Sequence, residues 1–491
     1  MQTAKHIHLI GICGTAMASL AGMLQARGYR ITGSDAAAYP PMSDLLVGLG
    51  IPLLQPYSEA NLAPRPGFSQ PDLVIVGNAI SRGNVELEYV LDMRIPFTSM
   101  AAALHDEFLP GRESLVVAGT HGKTTTTSML AWIYEVASRT RPELAPSFLI
   151  GGVAENFGTS FMVRAETRPF LLEGDEYDTA FFDKGPKFLH YFPDAAILTH
   201  VEFDHADIYP DLAAVKTAFK RLVNLVPRRG RVVAFDGSEN VSECVARAFC
   251  AVERYGFHAD SHWHIAGMRH QGGVTHWKLL RGGEPFAELE LPMAGEHNAL
   301  NATAAAALAA GQGIPAAAIV EALATFRSVK RRLEVRAEVN GVTIIDDFAH
   351  HPTAIRETLR ALRTAYTGRR LWAVLEPRSN TLRRNVFEQA LVDSLALADR
   401  SVLAGVFNSE AIPAGERLHP ENVVAALRAR GLESALYADA DAIVAAIAPQ
   451  LRPGDVVAIL SNGGFGGIYD KLPKALGGIA SVSHDLSSPV R

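Results

Sequence analysis

A chain of 491 residues with 48% hydrophobic and 20% charged side chains has the composition of a globular protein, and its length predicts about three domains. The net charge of −6 argues against a nucleic-acid-binding surface and favours small-molecule partners. Three cysteines are too few for a disulfide framework, no apolar run reaches the roughly 18 residues of a membrane span, and the first residues do not resemble a signal peptide. We therefore expect a cytoplasmic location, without nucleic-acid or membrane partners.

The first part of the chain has the outline of a nucleotide-binding βαβ unit. A short apolar run, a turn and a helical pattern that ends near Arg27 precede a second strand, which ends in Ser34 and Asp35. The G-x-G-x-x-G fingerprint of such units is incomplete, because Cys13 and Ala16 occupy two of its glycine positions. The pattern predicts either a nucleotide site or only a packing turn in an α/β domain.

The strongest motif follows an apolar run at 115–118, which predicts a buried strand. The sequence G-T-H-G-K-T occupies positions 119–124, and a helical pattern follows it. A glycine turn before a helix presents backbone N–H groups to a phosphate, and the helix start adds partial positive charge. We expect Lys123 to reach the β- and γ-phosphates of a nucleotide and Thr124 to contact Mg²⁺. The general pattern has glycine where this chain has Val117, so a glycine-rich turn with an exposed lysine is the alternative.

Two further strands lead to side chains that can hold metal ions. The strand at 170–172 is followed by Glu173, and the strand at 195–199 leads to His205. Ligands collect beyond the carboxyl ends of parallel strands, so we expect both side chains to lie beside the phosphate loop. A carboxylate and an imidazole near the loop threonine can hold Mg²⁺ between nucleotide and substrate oxygens. The alternatives are a solvated cap for Glu173 and a structural role for His205.

The remaining elements predict antiparallel hairpins at about 262–291 and then a third α/β unit. Its strands at 342–345, 371–375 and 456–460 alternate with helical patterns, as is typical of a parallel sheet. We place the three domains at residues 1–111, 112–327 and 328–491.

Several polar residues near these elements are candidates for nucleotide contacts. Asn298 can bind a base through its amide or cap a helix. Arg332 ends a basic run that can contact phosphate or lie exposed. Asp347 ends a strand, where a carboxylate can accept hydrogen bonds from ribose. Of the adjacent His350 and His351, we expect one to face phosphate, because neighbouring residues rarely chelate one ion.

Six motifs occur in the order known from one enzyme family: G-T-H-G-K-T-T-T, E-G-D-E, E-F-D-H-A-D, G-E-H-N-A-L-N-A, R-R-L-E and D-D-F-A-H-H-P. Over nearly its whole length the chain resembles the ATP-dependent Mur ligases of bacterial cell-wall synthesis. The resemblance implies an α/β fold of three domains: a Rossmann-like N-terminal domain, a P-loop ATPase-type central domain and a Rossmann-like C-terminal domain. The run G-I-C-G-T-A-M in the first domain is similar to the muramate-binding branch of that family.

The resemblance implies ATP-dependent amide-bond formation. ATP would activate the carboxylate of UDP-N-acetylmuramate as an acyl phosphate, which an amine then attacks. Two amines are open within the branch: L-alanine, and the murein tripeptide L-alanyl-γ-D-glutamyl-meso-diaminopimelate of cell-wall peptide recycling. The runs G-N-A-I-S-R-G-N, E-P-R-S-N-T and S-N-G-G-F resemble the tripeptide-joining members, so we favour the tripeptide. ATP and Mg²⁺ are the implied cofactors, and a monomer or weak homodimer is the expected state.

The resemblance also assigns roles to individual residues. The implied catalytic residues are Lys123, Glu173 and His205, and the implied metal ligands are Thr124, Glu173 and His205. The implied ATP-binding residues are Gly119, Thr120, His121, Gly122, Lys123, Thr124, Thr125, Asn298, Arg332, Asp347 and His350. The implied UDP-sugar-binding residues are Gly11, Gly14, Thr15, Met17, Ser34, Asp35, Asn78 and Ala79. The implied peptide-binding residues are Arg378, Ser379 and Asn380, with the Arg378 guanidinium paired with a peptide carboxylate.

Two functions of other classes compete with a ligase. A non-catalytic UDP-sugar sensor would bind nucleotide but would have no need of a metal site. A dinucleotide oxidoreductase fits the first βαβ unit, but the missing glycines and the separate phosphate loop disfavour it.

Overall fold

The computed structural model describes residues 4–38 and 42–477, which form three α/β domains in chain order. The predicted fold class is confirmed, since each domain is built on its own mainly parallel sheet with helices on both faces. The predicted boundaries after residues 111 and 327 fall in connections between sheets and stay predictions. In the described part of the chain, no helix is both long enough and apolar enough to span a membrane.

The first domain contains a five-stranded parallel sheet. Its strands are β1 His6–Ile10, β2 Arg30–Ser34, β3 Leu53–Leu54, β4 Leu73–Val76 and β5 Phe97–Ser99. Its helices are α1 Thr15–Ala26, α2 Met42–Gly48, α3 Val85–Asp92 and α4 Met100–Phe108. The strand order is β3-β2-β1-β4-β5, so the turns that follow β1 and β4 meet at one edge of the sheet, where a ligand can bind.

The central domain contains the phosphate loop and the largest sheet. Its strands are β6 Glu113–Ala118, β7 Ser147–Ala154, β8 Thr159–Met162, β9 Pro169–Gly174, β10 Asp178–Ala180, β11 Asp183–Pro186, β12 Ala195–Leu198, β13 Arg231–Phe235, β14 Ala251–Gly256, β15 Trp263–Gln271, β16 Val274–Arg281 and β17 Glu284–Leu291. Its helices are α5 Lys123–Ser138, α6 Leu212–Leu225, α7 Glu239–Val245, α8 Glu296–Gly311 and α9 Ala316–Ala324. The ten-stranded sheet has the order β17-β16-β15-β14-β13-β12-β6-β9-β7-β8, and β10 and β11 form a separate hairpin. The predicted antiparallel hairpins are confirmed as β15 to β17.

The third domain contains a six-stranded sheet. Its strands are β18 Glu334–Val339, β19 Val342–Asp347, β20 Leu371–Leu375, β21 Arg400–Ala404, β22 Glu433–Tyr437 and β23 Val456–Leu460. Its helices are α10 Pro352–Ala365, α11 Glu388–Leu395, α12 Pro420–Ala429, α13 Ala440–Ile447 and α14 Ile468–Ala475. The order is β18-β19-β23-β20-β21-β22, with β18 antiparallel to its neighbour. Separate hydrophobic cores cover its two faces.

The first and central domains share one hydrophobic core, which extends from β1 and α1 to β6, β9 and α6. Gly22 of α1 lies so close to Phe161 of β8 that a Cβ atom at Gly22 would collide with the ring. The hairpin of β10 and β11 also reaches the first domain, because the rings of Phe181 and Phe182 lie 6.3 and 5.2 Å from that of Phe97. These contacts fix the orientation of the two domains.

Candidate active site

The phosphate loop lies between the carboxyl end of β6 and the start of α5. Gly119 has φ +138° and Gly122 has φ +81°, a region that favours glycine. A Cβ atom at Gly122 would lie 2.5 Å from Asn301 Oδ1, and one at Gly119 would collide with Thr199. Both conformation and close packing therefore require glycine at the two positions.

The start of α5 is suited to bind phosphate. Gly122 precedes the helix, and no side chain in the described residues caps its first N–H groups, so these groups are available to an anion. The Thr120 N–H donates to His200 O at 2.8 Å and ties the loop to the end of β12, and Thr125 is buried in the first turn. Together with the Lys123 ammonium, these donors match the chemistry of a polyphosphate, so the loop fits ATP.

A chain of charged contacts leads from the loop to His205. Lys123 Nζ lies 2.6 Å from Glu176 Oε2, and Glu176 Oε1 lies 3.2 Å from His205 Nε2. Glu176 is only 2% exposed. Burial alone would raise its pKa, but Lys123 and His205 outweigh burial and lower the pKa of Glu176. Burial would lower the pKa of His205, but the hydrogen bond that its ring donates to Glu176 and the charges of nearby carboxylates raise the pKa to about 9.

Thr124 and Glu173 meet beside this chain, as the sequence predicts. The Thr124 hydroxyl donates to Glu173 Oε1 at 3.0 Å, and the Gly151 N–H donates to Glu173 Oε2 at 2.7 Å. Burial raises the pKa of Glu173 above its ordinary value, although Lys123 opposes this shift. A nearby cation would relieve the cost of burying this carboxylate.

The oxygen donors at this edge fit Mg²⁺, which prefers carboxylate and hydroxyl oxygens. The predicted ligands divide into two neighbouring groups: Thr124 contacts Glu173, whereas His205 lies with Asp175 and Glu176. In the second group the ligand atoms lie within 4.8 Å of one another. The three predicted ligands stay a prediction, and the structure adds the two further carboxylates.

A cavity of about 390 Å³ connects this edge with the first domain. Gly14, Thr15, Met17 and Asn78, which the sequence predicts to bind the UDP-sugar, line one side, and the strand-end residues of the central domain, including Glu173, line the other. The predicted UDP-sugar residues and the predicted metal ligands therefore share one space.

The other predicted UDP-sugar residues support the turns around this cavity. Gly11 has φ +82°, and Asp35 Oδ2 accepts a hydrogen bond from the Cys13 N–H at 2.8 Å. The Ser34 side chain is buried and donates its hydroxyl hydrogen bond to Glu86. Ala79 lies exposed in the turn after β4.

The predicted ATP contacts from beyond the loop occupy α8 and the start of the third domain. The Asn298 amide, 2% exposed, donates to Ala294 O at 2.8 Å. The Asp347 carboxylate accepts hydrogen bonds from the Leu333 and Ala349 N–H groups at 2.8 and 2.9 Å. These contacts orient both side chains through their own domains.

Two predicted phosphate contacts lie near the ring of Phe348. The Arg332 guanidinium lies 5.2 Å from the centroid of the Phe348 ring. The positive charge of Arg332 opposes the rise in the pKa of Glu173 that burial causes. His350 Nδ1 donates to Phe348 O at 2.8 Å, and burial lowers the pKa of His350. A neutral ring with its Nδ1 position occupied leaves Nε2 for a further contact.

The third domain contacts the segment 202–207 of the central domain mainly through polar side chains. Thr353 Oγ1 donates to Glu202 Oε2 at 2.7 Å, and Thr381 Oγ1 donates to Asp204 Oδ1 at 2.6 Å. The segment that contains His205 is thus held from both domains.

The loop histidine joins the same contact. His121 Nε2 donates to Glu202 Oε2 at 3.0 Å. Burial lowers the pKa of His121 to about 4. Burial would raise the pKa of Glu202, but the hydrogen bonds that His121 and Thr353 donate to this carboxylate lower its pKa to about 2. A neutral imidazole therefore donates to an ionised carboxylate at neutral pH.

The predicted peptide-binding residues follow β20 at this junction. The Arg378 guanidinium packs 3.8 Å from the centroid of the Phe407 ring, with Glu376 at 3.5 Å. Ser379 Oγ donates to His350 O at 3.3 Å. Asn380 Nδ2 donates to Asp207 Oδ2 at 2.8 Å. Of the three residues, Asn380 contacts the segment that contains His205, whereas Arg378 and Ser379 contact residues of the third domain.

The sequence assigns no role to two charged residues of this site, Asp175 and Glu176. The basic, aromatic stretch at 182–192 lies between Glu173 and His205 and is a candidate lining of the acceptor pocket, but the sequence assigns no individual role to Lys187 within it. The acidic run E-G-D-E, which begins at the end of β9, is the available signal for the two carboxylates, since two acids so close to a predicted ligand can share its site. Lys187 follows a glycine and a proline in a basic, aromatic stretch, and only the fold turns it inward.

Comparisons with known proteins agree with this geometry. Residues 6–108 match the Mur ligase family, catalytic domain, residues 117–309 match the Mur ligase middle domain, and residues 331–463 match the Mur ligase glutamate ligase domain.

Individual relatives match over most of their length. The UDP-N-acetylmuramate–L-alanyl-γ-D-glutamyl-meso-2,6-diaminoheptandioate ligase of Escherichia coli is 42% identical over 95% of this chain and 97% of its own. The UDP-N-acetylmuramate–L-alanine ligase of Burkholderia pseudomallei is 32% identical over the same shares. A crystal structure of a murein peptide ligase from Psychrobacter arcticus, 35% identical, matches with a TM-score of 0.72 over 98% of this chain and 100% of its own. This chain belongs to the Mur ligase family.

Proposed function

We propose that this protein is an ATP-dependent ligase that joins UDP-N-acetylmuramate to the tripeptide L-alanyl-γ-D-glutamyl-meso-diaminopimelate. The observation that carries the proposal is the meeting of a phosphate loop, buried strand-end carboxylates and the inter-domain cavity at one sheet edge. The identity of 42% to a relative named for the tripeptide reaction, against 32% to one named for L-alanine, favours the tripeptide as the amine.

The chain's own residues would divide the work as follows. The loop amides and Lys123 bind the phosphates of ATP, and Thr124 and Glu173 hold Mg²⁺, with His205 beside them. Bound Mg²⁺ would offset the negative charge of the phosphates, so that a carboxylate can approach them. Burial of the site excludes water, which would otherwise hydrolyse the acyl phosphate before the amine arrives.

The remaining assignments extend this proposal to the whole chain. Residues 1–111 bind the UDP-sugar, residues 112–327 bind ATP, and residues 328–491 bind the peptide and complete the ATP site. Asn298 would contact adenine and Asp347 the ribose. Arg378 is the candidate for a peptide carboxylate, because a guanidinium fork pairs with carboxylate through two parallel hydrogen bonds. The substrates belong to the cytoplasm, and we expect the enzyme there, as a monomer or weak homodimer.

Release of phosphate from ATP tests the proposal directly. The protein would be assayed with UDP-N-acetylmuramate, ATP and Mg²⁺, with either the tripeptide or L-alanine as amine. We expect phosphate release and a ligated product with the tripeptide only. Faster turnover with L-alanine would favour the alternative ligase, and no release with either amine would leave a UDP-sugar sensor. Reduction of a nicotinamide cofactor would favour an oxidoreductase.

A further inference from the structure

Lys187 is a buried lysine in the wall of the cavity between the first and central domains. It follows the hairpin of β10 and β11, and its residue is 8% exposed. The Lys187 N–H donates to Tyr177 O at 3.1 Å, and the next N–H, of Phe188, donates to Asp175 O at 3.3 Å. The backbone on both sides of the side chain is thus fixed against the acidic run after β9.

The ammonium of Lys187 has fewer partners than it can use. Its Nζ lies 2.7 Å from Asp175 Oδ2 and 5.2 Å from the centroid of the Tyr177 ring. An ammonium has three donors, and within the described residues Asp175 is its one hydrogen-bond acceptor. A buried charge with unused donors is costly unless another group accepts from it. The open side of Lys187 faces a cavity, where a ligand can supply that acceptor.

The charges around the cavity indicate what kind of ligand this is. The lining residues include the carboxylates of Glu173 and Asp175, so a further carboxylate can bind in the cavity only where a positive charge offsets their repulsion. Lys123, the lysine of the phosphate loop, already pairs with Glu176 at 2.6 Å. Lys187 is the one lysine among the lining residues, so an anion that enters the cavity meets the positive charge of its ammonium.

We propose that Lys187 binds the lactyl carboxylate of UDP-N-acetylmuramate and holds it beside Glu173. This inference rests on the proposed function, because it assumes that the UDP-sugar lies against Gly14, Thr15 and Asn78 on the opposite wall. Those residues place the sugar end of the substrate in the same cavity, which favours the lactyl group over a carboxylate of the tripeptide. Asp175 orients the ammonium in the absence of substrate and shares it afterwards.

The same hairpin supplies a matched control. Lys184 of β11 pairs with Asp178 Oδ2 at 2.7 Å, the same distance as in the pair of Lys187 and Asp175, but the Lys184 side chain is 69% exposed. A pair of ligands gives a second control, because UDP-N-acetylglucosamine is UDP-N-acetylmuramate without the lactyl ether. The difference in affinity between the two ligands reports on the lactyl ether, whose only charged group is the carboxylate.

Binding of both ligands would be measured by calorimetry for wild type, Lys187→Met, Lys187→Arg and Lys184→Met. We expect Lys187→Met to weaken UDP-N-acetylmuramate binding about tenfold or more, as for a lost charged hydrogen bond, and to change UDP-N-acetylglucosamine binding less than about twofold. Lys187→Arg should restore much of the difference between the ligands, since it keeps the charge. Lys184→Met should leave both affinities unchanged.

Other results would overturn the inference. An equal loss for both ligands would mean that Lys187 only supports the fold, and no loss would mean that it does not touch the substrate. A rise in the KM of the tripeptide with unchanged UDP-N-acetylmuramate binding would assign Lys187 to a peptide carboxylate. Failure of the proposed function has a different signature, because the wild-type protein would then bind neither UDP-sugar or would release no phosphate with either amine.

Discussion

The central domain contacts its two neighbours through different chemistry. Its contact with the first domain is largely apolar: α1 packs on β8, the rings of Phe97, Phe181 and Phe182 meet, and one hydrophobic core runs through both domains. Its contact with the third domain is made largely by hydrogen bonds, such as those of Thr353 and Thr381 with the segment 202–207.

The difference bears on movement. Separating the first and central domains would expose apolar surface to water, whereas hydrogen bonds to the third domain can be exchanged for bonds to water at a small net cost. We therefore expect the first two domains to hold the UDP-sugar as one rigid unit, and the third domain to open and close over the nucleotide.

We call the contact between the first and central domains the apolar junction, and the contact between the central and third domains the polar junction. The largest expected effect separates the two junctions by function. Lys123→Ala removes the ammonium of the phosphate loop, and we expect the ligation rate to fall by about a hundredfold or more. UDP-N-acetylmuramate binding should persist, because the proposed site of that substrate is the cavity between the first and central domains, which Lys123 does not line. Phosphate release and calorimetry would be compared with the exposed Lys184→Ala as control. Retained turnover would remove the loop from the catalytic site.

One added methyl group, at Gly22, should weaken the packing between the first and central domains. Gly22→Ala places a Cβ atom against Phe161 and Leu49, and we expect it to lower the free energy of unfolding by about 1–3 kcal/mol. Gly48→Ala is the control, since Gly48 lies in α2 with open space around it and alanine favours helix by roughly 0.5–1 kcal/mol. Equal free energies of unfolding in urea for Gly22→Ala and Gly48→Ala would show that close packing of α1 against β8 does not stabilise the protein.

The polar junction should respond in rate rather than in stability. Thr381→Val removes a hydroxyl that donates to the buried Asp204 carboxylate at 2.6 Å. Leaving this acceptor without its donor costs the closed contact between the two domains about 1–3 kcal/mol. We expect kcat to fall about tenfold, while UDP-N-acetylmuramate binding is unchanged. Thr364→Val, at an exposed position of α10, is the control. A loss of UDP-sugar affinity with unchanged kcat would contradict the proposed division.

The smallest effect concerns pH. The folded protein holds the pKa of His121 at about 4, below its ordinary 6.5, so the unfolded chain binds more protons between these values and stability falls as pH falls from 6.5 towards 4. The pKa of Glu202 is lowered to about 2, so this carboxylate adds a further loss of stability only below about pH 4.5. We expect the free energy of unfolding to fall by up to about 2 kcal/mol as the pH falls from 6.5 to 5.

Unfolding curves at pH 7, 6 and 5 for wild type and His121→Asn would measure the effect of His121. The variant should show a shallower dependence on pH, because its amide can donate to Glu202 but does not titrate in this range. The same slope in both proteins would assign the acid sensitivity to another group.

The sequence was most informative where a local pattern decides the structure. Buried parallel strands are continuous apolar runs, so β20 and β23 have the predicted bounds. The loop with Lys123 and Thr124 was predicted because glycine, strand and helix signals are adjacent in sequence. Strand β7, which pairs with β9 and with the edge strand β8, was not predicted, since Gly151 and Gly152 interrupt its pattern.

Long-range contacts explain what the sequence did not reveal. The pairing of His205 with Glu176 depends on φ +55° at His205 and on the approach of two loops that lie 29 residues apart. Lys187 lies in a stretch whose position between Glu173 and His205 favours a pocket lining, but its pairing with Asp175 depends on how the hairpin of β10 and β11 folds back on Tyr177. Such contacts depend on tertiary packing, which short motifs do not encode.

The shared core also limits how this protein can be recombined with its relatives. An exchange of the third domain would need to preserve a few hydrogen-bonding side chains, among them Thr353 and Thr381. An exchange of the first domain would instead have to match the shapes of α1 and Phe161 atom by atom, because the interior there is continuous. Chimeras divided near residue 327 should therefore tolerate sequence divergence that chimeras divided near residue 111 do not.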